Sequence, residues 1–137
     1  MTATAQMLET HPADFGFDAD QLSAALDAMI ECAGTCTQCA DACLAEDDVA
    51  AQVTCIRRNL DCADACTAAA RILGRQTSYE PALTRAVLEA CALACRLCGD
   101  ECEKHARMEH CRICAESCRQ CEHACRETAS TITPTLQ

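Results

Sequence analysis

Residues 91–102 read CALACRLCGDEC, with cysteines at spacings of four, three and four. An α-helix completes a turn in about 3.6 residues, so alternating steps of four and three keep all four thiols on one helix face. Residues 32–43, CAGTCTQCADAC, repeat the same spacing. Both stretches predict long helices whose inward faces are lined with sulfur.

The same rule extends over the whole chain, which has 16 cysteines among its 137 residues. The run at residues 55–66 would have the same spacing if Asn59 were cysteine, because positions 55, 59, 62 and 66 are also separated by four, three and four. We therefore treat every cysteine as a candidate metal ligand. These are Cys32, Cys36, Cys39, Cys43, Cys55, Cys62, Cys66, Cys91, Cys95, Cys98, Cys102, Cys111, Cys114, Cys118, Cys121 and Cys125.

Capping and helix-breaking residues delimit four helices. Asp18 or Asp20 caps the first helix, and Gly74 ends the second. Ser78 caps the third helix with Pro81 in its first turn, and Pro134 follows the fourth. The predicted helices cover about residues 19–45, 49–73, 78–104 and 109–129.

Short connections between four helices predict an all-α fold, an antiparallel up-down-up-down four-helix bundle with a cysteine-lined core. We divide the chain into an N-terminal segment at residues 1–17, which can hold a short helix, the bundle at residues 18–130 and a C-terminal tail at residues 131–137. Two Phe, one Tyr and no Trp are available, so Ala, Leu and Cys must fill the core. Since a protonated cysteine behaves as a small hydrophobic residue, we expect the chain to fold without metal.

Charge and composition exclude several kinds of partner. The formal charge is −10, from 21 acidic and 11 basic residues, which argues against binding nucleic acid or anionic membrane surfaces. We see neither a run of about 18 apolar residues nor an export signal near the N-terminus. We therefore expect a cytoplasmic protein, where reducing conditions favour metal-bound thiols over disulfides.

Sulfur ligands on one axis select soft metal ions. Structural zinc prefers four ligands converging from a turn, whereas these cysteines lie within helices. Cu(I) accepts two or three thiolates, and one Cu(I) per thiolate leaves the core neutral. We therefore favour multiple Cu(I) ions, about one per cysteine, held for storage or buffering. A zinc- or cadmium-sequestering, metallothionein-like protein and a thiol redox protein stay open as alternatives, but no catalytic constellation is visible and we expect no enzyme.

Antiparallel topology predicts which cysteines share an end of the bundle. One end should gather Cys43, Cys55, Cys102 and Cys111. The other should gather Cys32, Cys66, Cys91 and Cys125. Hydrophobic residues continue the inward stripes beyond this second end and should close it. They are Leu22, Leu26, Met29, Leu73, Leu88 and Ile132.

Beyond the first end, the inward positions are polar. His105 and His110 should face the axis there, and we predict that they form a mouth that passes copper inward, with His110 a candidate ligand. Two solvent-facing loop histidines are the alternative. His123 lies off the inward face and should be a surface residue.

Three further residues lie near the predicted column. Met29 is more typical of core packing than of thioether ligation, and Asn59 of a hydrogen-bonded core residue than of a ligand. For Asp61 a solvated helix face is the better interpretation.

The four cysteine-lined helices with repeated C-x₃-C and C-x₂-C steps resemble the bacterial copper storage proteins. The chain is most similar to their cytosolic branch, because the exported branch carries a twin-arginine signal that we do not see here. The resemblance covers about residues 19–130. It implies a homotetramer of four-helix bundles, each filled with Cu(I) bound mainly by cysteine thiolates, and a ligand gap beside Asn59. The sequence does not identify the donor, for which a copper chaperone is one candidate.

Overall fold

The computed structural model describes residues 1–133. Over this part of the chain five α-helices form and no strand is present, which confirms the predicted all-α class. The helices are α1 (Ala3–Glu9), α2 (Ala19–Leu44), α3 (Val53–Leu73), α4 (Pro81–Glu103) and α5 (Glu109–Ser130). The predicted role of Pro134 falls outside the described residues.

Helices α2 to α5 form the predicted antiparallel bundle. Each packs against two neighbours, α2 against α3 and α5, and α4 against α3 and α5. The short helix α1 packs on α2. This closed ring surrounds one core, and within residues 1–133 no helix is both long and apolar enough to cross a membrane.

Local sequence explains where the helices begin. The Asp18 carboxylate accepts a hydrogen bond from the Gln21 backbone N–H at 2.8 Å, so Asp18 caps α2. Asp48 does the same for a 3₁₀ turn, Val49–Gln52, through the Ala51 N–H at 3.3 Å. This 3₁₀ turn occupies the start of the segment predicted as helical from residue 49.

The predicted cap of α4 was wrong. Ser78 has a φ of 56° and lies in the preceding turn, whereas the Glu80 side chain accepts the hydrogen bond from the Ala82 N–H. The reason is Pro81, which disfavours helical geometry at the residue before it. Glu80 is accordingly extended, at φ −99° and ψ 112°, and takes the capping position.

The core confirms the predicted composition. All sixteen cysteines are free and buried, and most other buried hydrophobic residues are Ala and Leu. Towards the C-terminal end of α3, hydrophobic side chains take over from cysteine on the inward stripes. Leu22, Leu26, Met29, Leu73, Leu88 and Ile132 are all buried there.

We predict that replacing the α2 cap weakens the bundle. Asp18→Ala removes the acceptor for the Gln21 N–H and should lower the free energy of unfolding of the metal-free protein by about 1 kcal/mol. Asp20→Ala is the control, since Asp20 lies in the first turn of α2 but does not cap the helix. This change should lower the free energy of unfolding by only about 0.3 kcal/mol. Urea unfolding followed by circular dichroism measures both, and equal effects would contradict the assigned cap.

Candidate metal centre

The sulfur atoms form one continuous column inside the bundle. Neighbouring Sγ atoms on different helices are 3.6–4.0 Å apart, as between Cys66 and Cys91 at 3.6 Å and between Cys55 and Cys102 at 3.7 Å. Sulfurs one turn apart on a helix are equally close, with Cys32 and Cys36 at 3.7 Å. Sulfurs in the middle of the column, such as that of Cys66, therefore have partners both beside and along the axis.

Several groups of four ligand atoms lie within 4.8 Å of one another, which is compact enough to share metal ions. Four of these groups consist of cysteines alone and overlap, because six cysteines belong to two groups each. The four groups are Cys32, Cys62, Cys66, Cys95; Cys32, Cys36, Cys62, Cys118; Cys36, Cys98, Cys114, Cys118; and Cys66, Cys91, Cys95, Cys121. Shared members indicate bridging thiolates in a continuous cluster.

The predicted level of Cys32 needs correction. Its sulfur lies 4.0 Å from both Cys62 and Cys118, one level inward from the end where Cys91 and Cys125 lie. The prediction assigned the levels from antiparallel topology alone. At the other end Cys39 lies beside Cys111, at 3.9 Å. The register of α2 therefore differs from the predicted one by one helical turn, and the α2–α3 connection includes the 3₁₀ turn Val49–Gln52.

Asn59 interrupts the column as a hydrogen-bonded core residue, as predicted. It is fully buried. Its Oδ1 accepts from the thiols of Cys98 at 3.1 Å and Cys114 at 3.0 Å. Its Nδ2 donates to Cys55 at 3.7 Å. The Asn59 carboxamide thus forms hydrogen bonds with thiols on three helices, at the position where a regular series would have a cysteine.

At the end near Cys43, His110 joins the column. Its Nδ1 lies 3.4 Å from the Cys39 sulfur and 3.6 Å from that of Cys111. Its Nε2 lies 3.0 Å from Glu46 Oε1. When Glu46 accepts the proton of Nε2–H, Nδ1 keeps its lone pair directed at the sulfurs. Together with Cys43 these ligand atoms form another group within 4.8 Å.

His105 is held differently. Its Nε2 lies 3.4 Å from Glu101 Oε1, one turn earlier on α4. Both side chains are largely buried, at 17% and 14% exposed. The structure therefore places His105 beside Glu101 at the same end of the bundle. The hydrogen-bond partner of His105 Nε2 is a carboxylate, whereas the partner of His110 Nδ1 is a cysteine sulfur.

Two other predicted positions are at the surface. His123 is 74% exposed and pairs with Glu127. Asp61 pairs with Arg57 at 2.9 Å on the outer face of α3. Both agree with the sequence-based interpretation that they are solvated.

Sequence reasoning missed Glu101 and Gln52 at this end. Gln52 is 3% exposed, and its Oε1 has no hydrogen-bond partner among the described residues. Extending the α3 series backwards from Cys55 by three residues would have found it. The pairing of Glu101 with His105 follows from their spacing of four on one helix.

Burial and mutual repulsion oppose ionisation of the outermost thiols. Burial, together with the charge of a Cys55 thiolate, raises the pKa of Cys43 to about 11. Burial also raises the pKa of Cys111. In the empty protein these thiols are protonated at neutral pH, so metal uptake must release their protons.

A buried column of bridging sulfurs flanked by one imidazole is a site for soft, low-charge metal ions. The fold and the site therefore define a four-helix bundle with a metal-binding core.

Comparison with known proteins identifies the family. The model of the copper storage protein family matches residues 18–130, so the chain belongs to that family, as the resemblance predicted. No curated protein matches the sequence.

Solved structures of Streptomyces lividans proteins are similar to this chain. The copper storage protein Ccsp, loaded with 10 copper equivalents, is 51% identical, with 93% of this chain and 98% of that chain covered and a TM-score of 0.91. A cytosolic copper storage protein with five coppers is 53% identical over 81% of this chain and 93% of that chain, with a TM-score of 0.79. A Ccsp variant with one histidine replaced by alanine is 51% identical over 86% and 99%, with a TM-score of 0.84.

We predict that the gap at Asn59 can be filled. Asn59→Cys adds a sulfur between Cys55 and Cys62 and should raise the Cu(I) titration endpoint by about one ion per chain. Asn59→Leu is the control, because it removes the amide without adding a ligand and should not raise the endpoint. Anaerobic titration of the reduced protein measures both, and an unchanged endpoint for Asn59→Cys would show that this level does not limit capacity.

Proposed function

We propose that this protein stores and buffers Cu(I) in the cytoplasm, binding many ions per chain through the thiolates of its sixteen cysteines. The supporting observation is the column itself, in which sulfurs 3.6–4.0 Å apart are buried without any disulfide. The similar Streptomyces lividans proteins include one described as cytosolic and one loaded with 10 copper equivalents. We assign storage to the bundle of residues 18–130.

Charge balance favours Cu(I) over Zn(II). The free-energy cost of burying sixteen thiolates without compensating positive charge would prevent folding. One Cu(I) per thiolate neutralises the column, whereas a zinc ion with four thiolates keeps a charge of −2. Because the groups of close sulfurs overlap, bridging thiolates let about sixteen Cu(I) ions fit. This capacity suits storage rather than transport of a single ion.

Copper enters at the end that carries His105 and His110. At the opposite end, the column is covered by buried leucines and Ile132. His110 acts as a ligand through Nδ1, which lies 3.4 Å from Cys39, while Glu46 fixes the ring through Nε2. His105, oriented by Glu101, provides a polar position beside the mouth.

The chain acts without catalysis and as an assembly. We propose no enzymatic role, since the buried thiols and the two mouth histidines are all accounted for by metal binding. By resemblance to its family we propose a homotetramer of bundles. A copper chaperone is the proposed donor at the mouth.

Anaerobic titration of reduced protein against a tight Cu(I) chelator tests the storage function. We expect saturation near one Cu(I) per cysteine, about sixteen per chain, and displacement of Zn(II) by Cu(I). Saturation at about four ions with zinc preferred would favour the zinc- or cadmium-sequestering alternative. Binding of one or two ions with rapid disulfide formation would favour a thiol redox protein.

Replacing both mouth histidines should slow copper uptake. The double variant with His105→Ala and His110→Ala should load several-fold more slowly in stopped-flow mixing with Cu(I), with capacity reduced by at most about one ion. His123→Ala is the matched control, since His123 is exposed on the outer face of α5. Uptake of the double variant at the rate of the control would contradict the proposed mouth.

A further inference from the structure

The outer face of α4 carries a second apolar stripe, opposite the sulfurs. Its members follow the same spacing of three and four as the cysteines and are all exposed. They are Leu83, Ala86, Ala90, Leu93 and Leu97, which we call the outer ridge. Leu83, Leu93 and Leu97 are 54%, 46% and 38% exposed. Isolated surface leucines are ordinary, but a continuous row on a strongly acidic protein marks an interaction surface.

The outer ridge has the spacing of a helix–helix contact. Steps of three and four form the seam of packed helices in coiled coils. Two alanines occupy the middle, where small side chains allow close approach, and larger leucines lie on either side. A ridge with this pattern accepts a second helix whose large residues meet its small ones.

Charged residues along one flank of the outer ridge identify that second helix. In chain order they are Arg85, Glu89, Arg96 and Asp100, so their signs alternate from positive to negative twice. Within the chain Arg85 pairs with Glu89 and Arg96 with Asp100 one turn apart, and Asp100 also pairs with Arg119 of α5, so a partner would add charge pairs to a row that is already paired internally. Read in reverse, the same row alternates from negative to positive. An antiparallel copy of this flank therefore places each arginine opposite a carboxylate, whereas a parallel copy places like charges together.

One register satisfies both charge pairs. If Arg85 faces Asp100 of the partner subunit, the same two-fold axis sets Glu89 opposite Arg96 of the partner subunit. The axis then passes between Ala92 and Leu93. In this register Leu97 falls opposite position 88, midway between Ala86 and Ala90 on the partner's ridge. The two Leu93 side chains meet beside the axis, so this register joins the two apolar ridges and also satisfies the charge pairs.

We propose that the outer ridge of α4 pairs with the outer ridge of a second copy of this chain, antiparallel about a two-fold axis. The contact is one interface of the assembly, and it rests on the homotetramer of the proposed function. Self-complementarity of this kind is the requirement of a two-fold interface between identical chains. Since the ridge runs along the side of the bundle, pairing leaves both ends of the sulfur column accessible.

Analytical ultracentrifugation of the full chain tests the interface. Leu93→Glu puts a charge at the centre of the paired ridges and should halve the mass of the assembly, from tetramer to dimer. Ile113→Glu is the matched control, because Ile113 is 47% exposed on α5 away from the ridge, and should leave the mass unchanged. Circular dichroism and the Cu(I) titration endpoint should be the same for both variants.

A charge exchange provides a second test that preserves the apolar ridge. Arg96→Glu opposes Glu89 of the partner subunit with a like charge and should weaken association roughly three- to tenfold at low salt. Adding Glu89→Arg should restore it, since opposite charges then meet again across the axis. High salt should reduce both effects.

The outcomes separate the interface from the assembly. If the wild-type chain is a tetramer and neither Leu93→Glu nor Arg96→Glu alters its mass or association, the α4 interface is wrong and the tetramer stands. If Ile113→Glu is as disruptive as Leu93→Glu, the interface is also wrong. A wild-type chain that sediments as a monomer at micromolar concentration overturns both.

Discussion

The burial of sixteen sulfur atoms in one column is the constraint on which the rest of the structure depends. Without metal, most of the thiols must remain neutral, because a row of buried thiolates at these separations would repel one another strongly. Protonated cysteine packs as a small hydrophobic residue, so the same side chains fill the core of the empty bundle and become ligands when copper arrives. Few aromatic residues are needed because sulfur occupies the volume that they usually fill.

This constraint gives the two ends of the bundle different tasks. At one end leucines, Met29 and Ile132 exclude water and ions from the column. At the other, His110 lies within 3.4 Å of the Cys39 sulfur while its second nitrogen is held by Glu46. The imidazole thus lies between the solvent-facing carboxylate and the first sulfurs, as the proposed entry of copper at this end requires. The column therefore has a direction that follows from side-chain chemistry alone.

Much of this arrangement could be predicted from the sequence, because the steps of three and four fix which face of each helix is buried. The inward position of every cysteine, the burial of Asn59 and the hydrophobic end all follow from that register. The level of Cys32 could not be predicted, since it depends on how many residues the α2–α3 connection uses, and the 3₁₀ turn there has no strong sequence signal. The cap of α4 was misplaced because Pro81 acts on the residue before it. Glu101 and Gln52 carry neither sulfur nor imidazole, so a pattern built on those ligands does not single them out.

In the loaded protein, copper should occupy the interior of the bundle along the sulfur column. Anomalous diffraction at the copper absorption edge, from a crystal of the fully loaded protein, tests it most directly. We expect anomalous peaks between the cysteine sulfurs from Cys43 to Cys125, one peak near His110 Nδ1, and none among the leucines at the closed end. Peaks confined to surface carboxylates and histidines, with an empty column, would contradict the account.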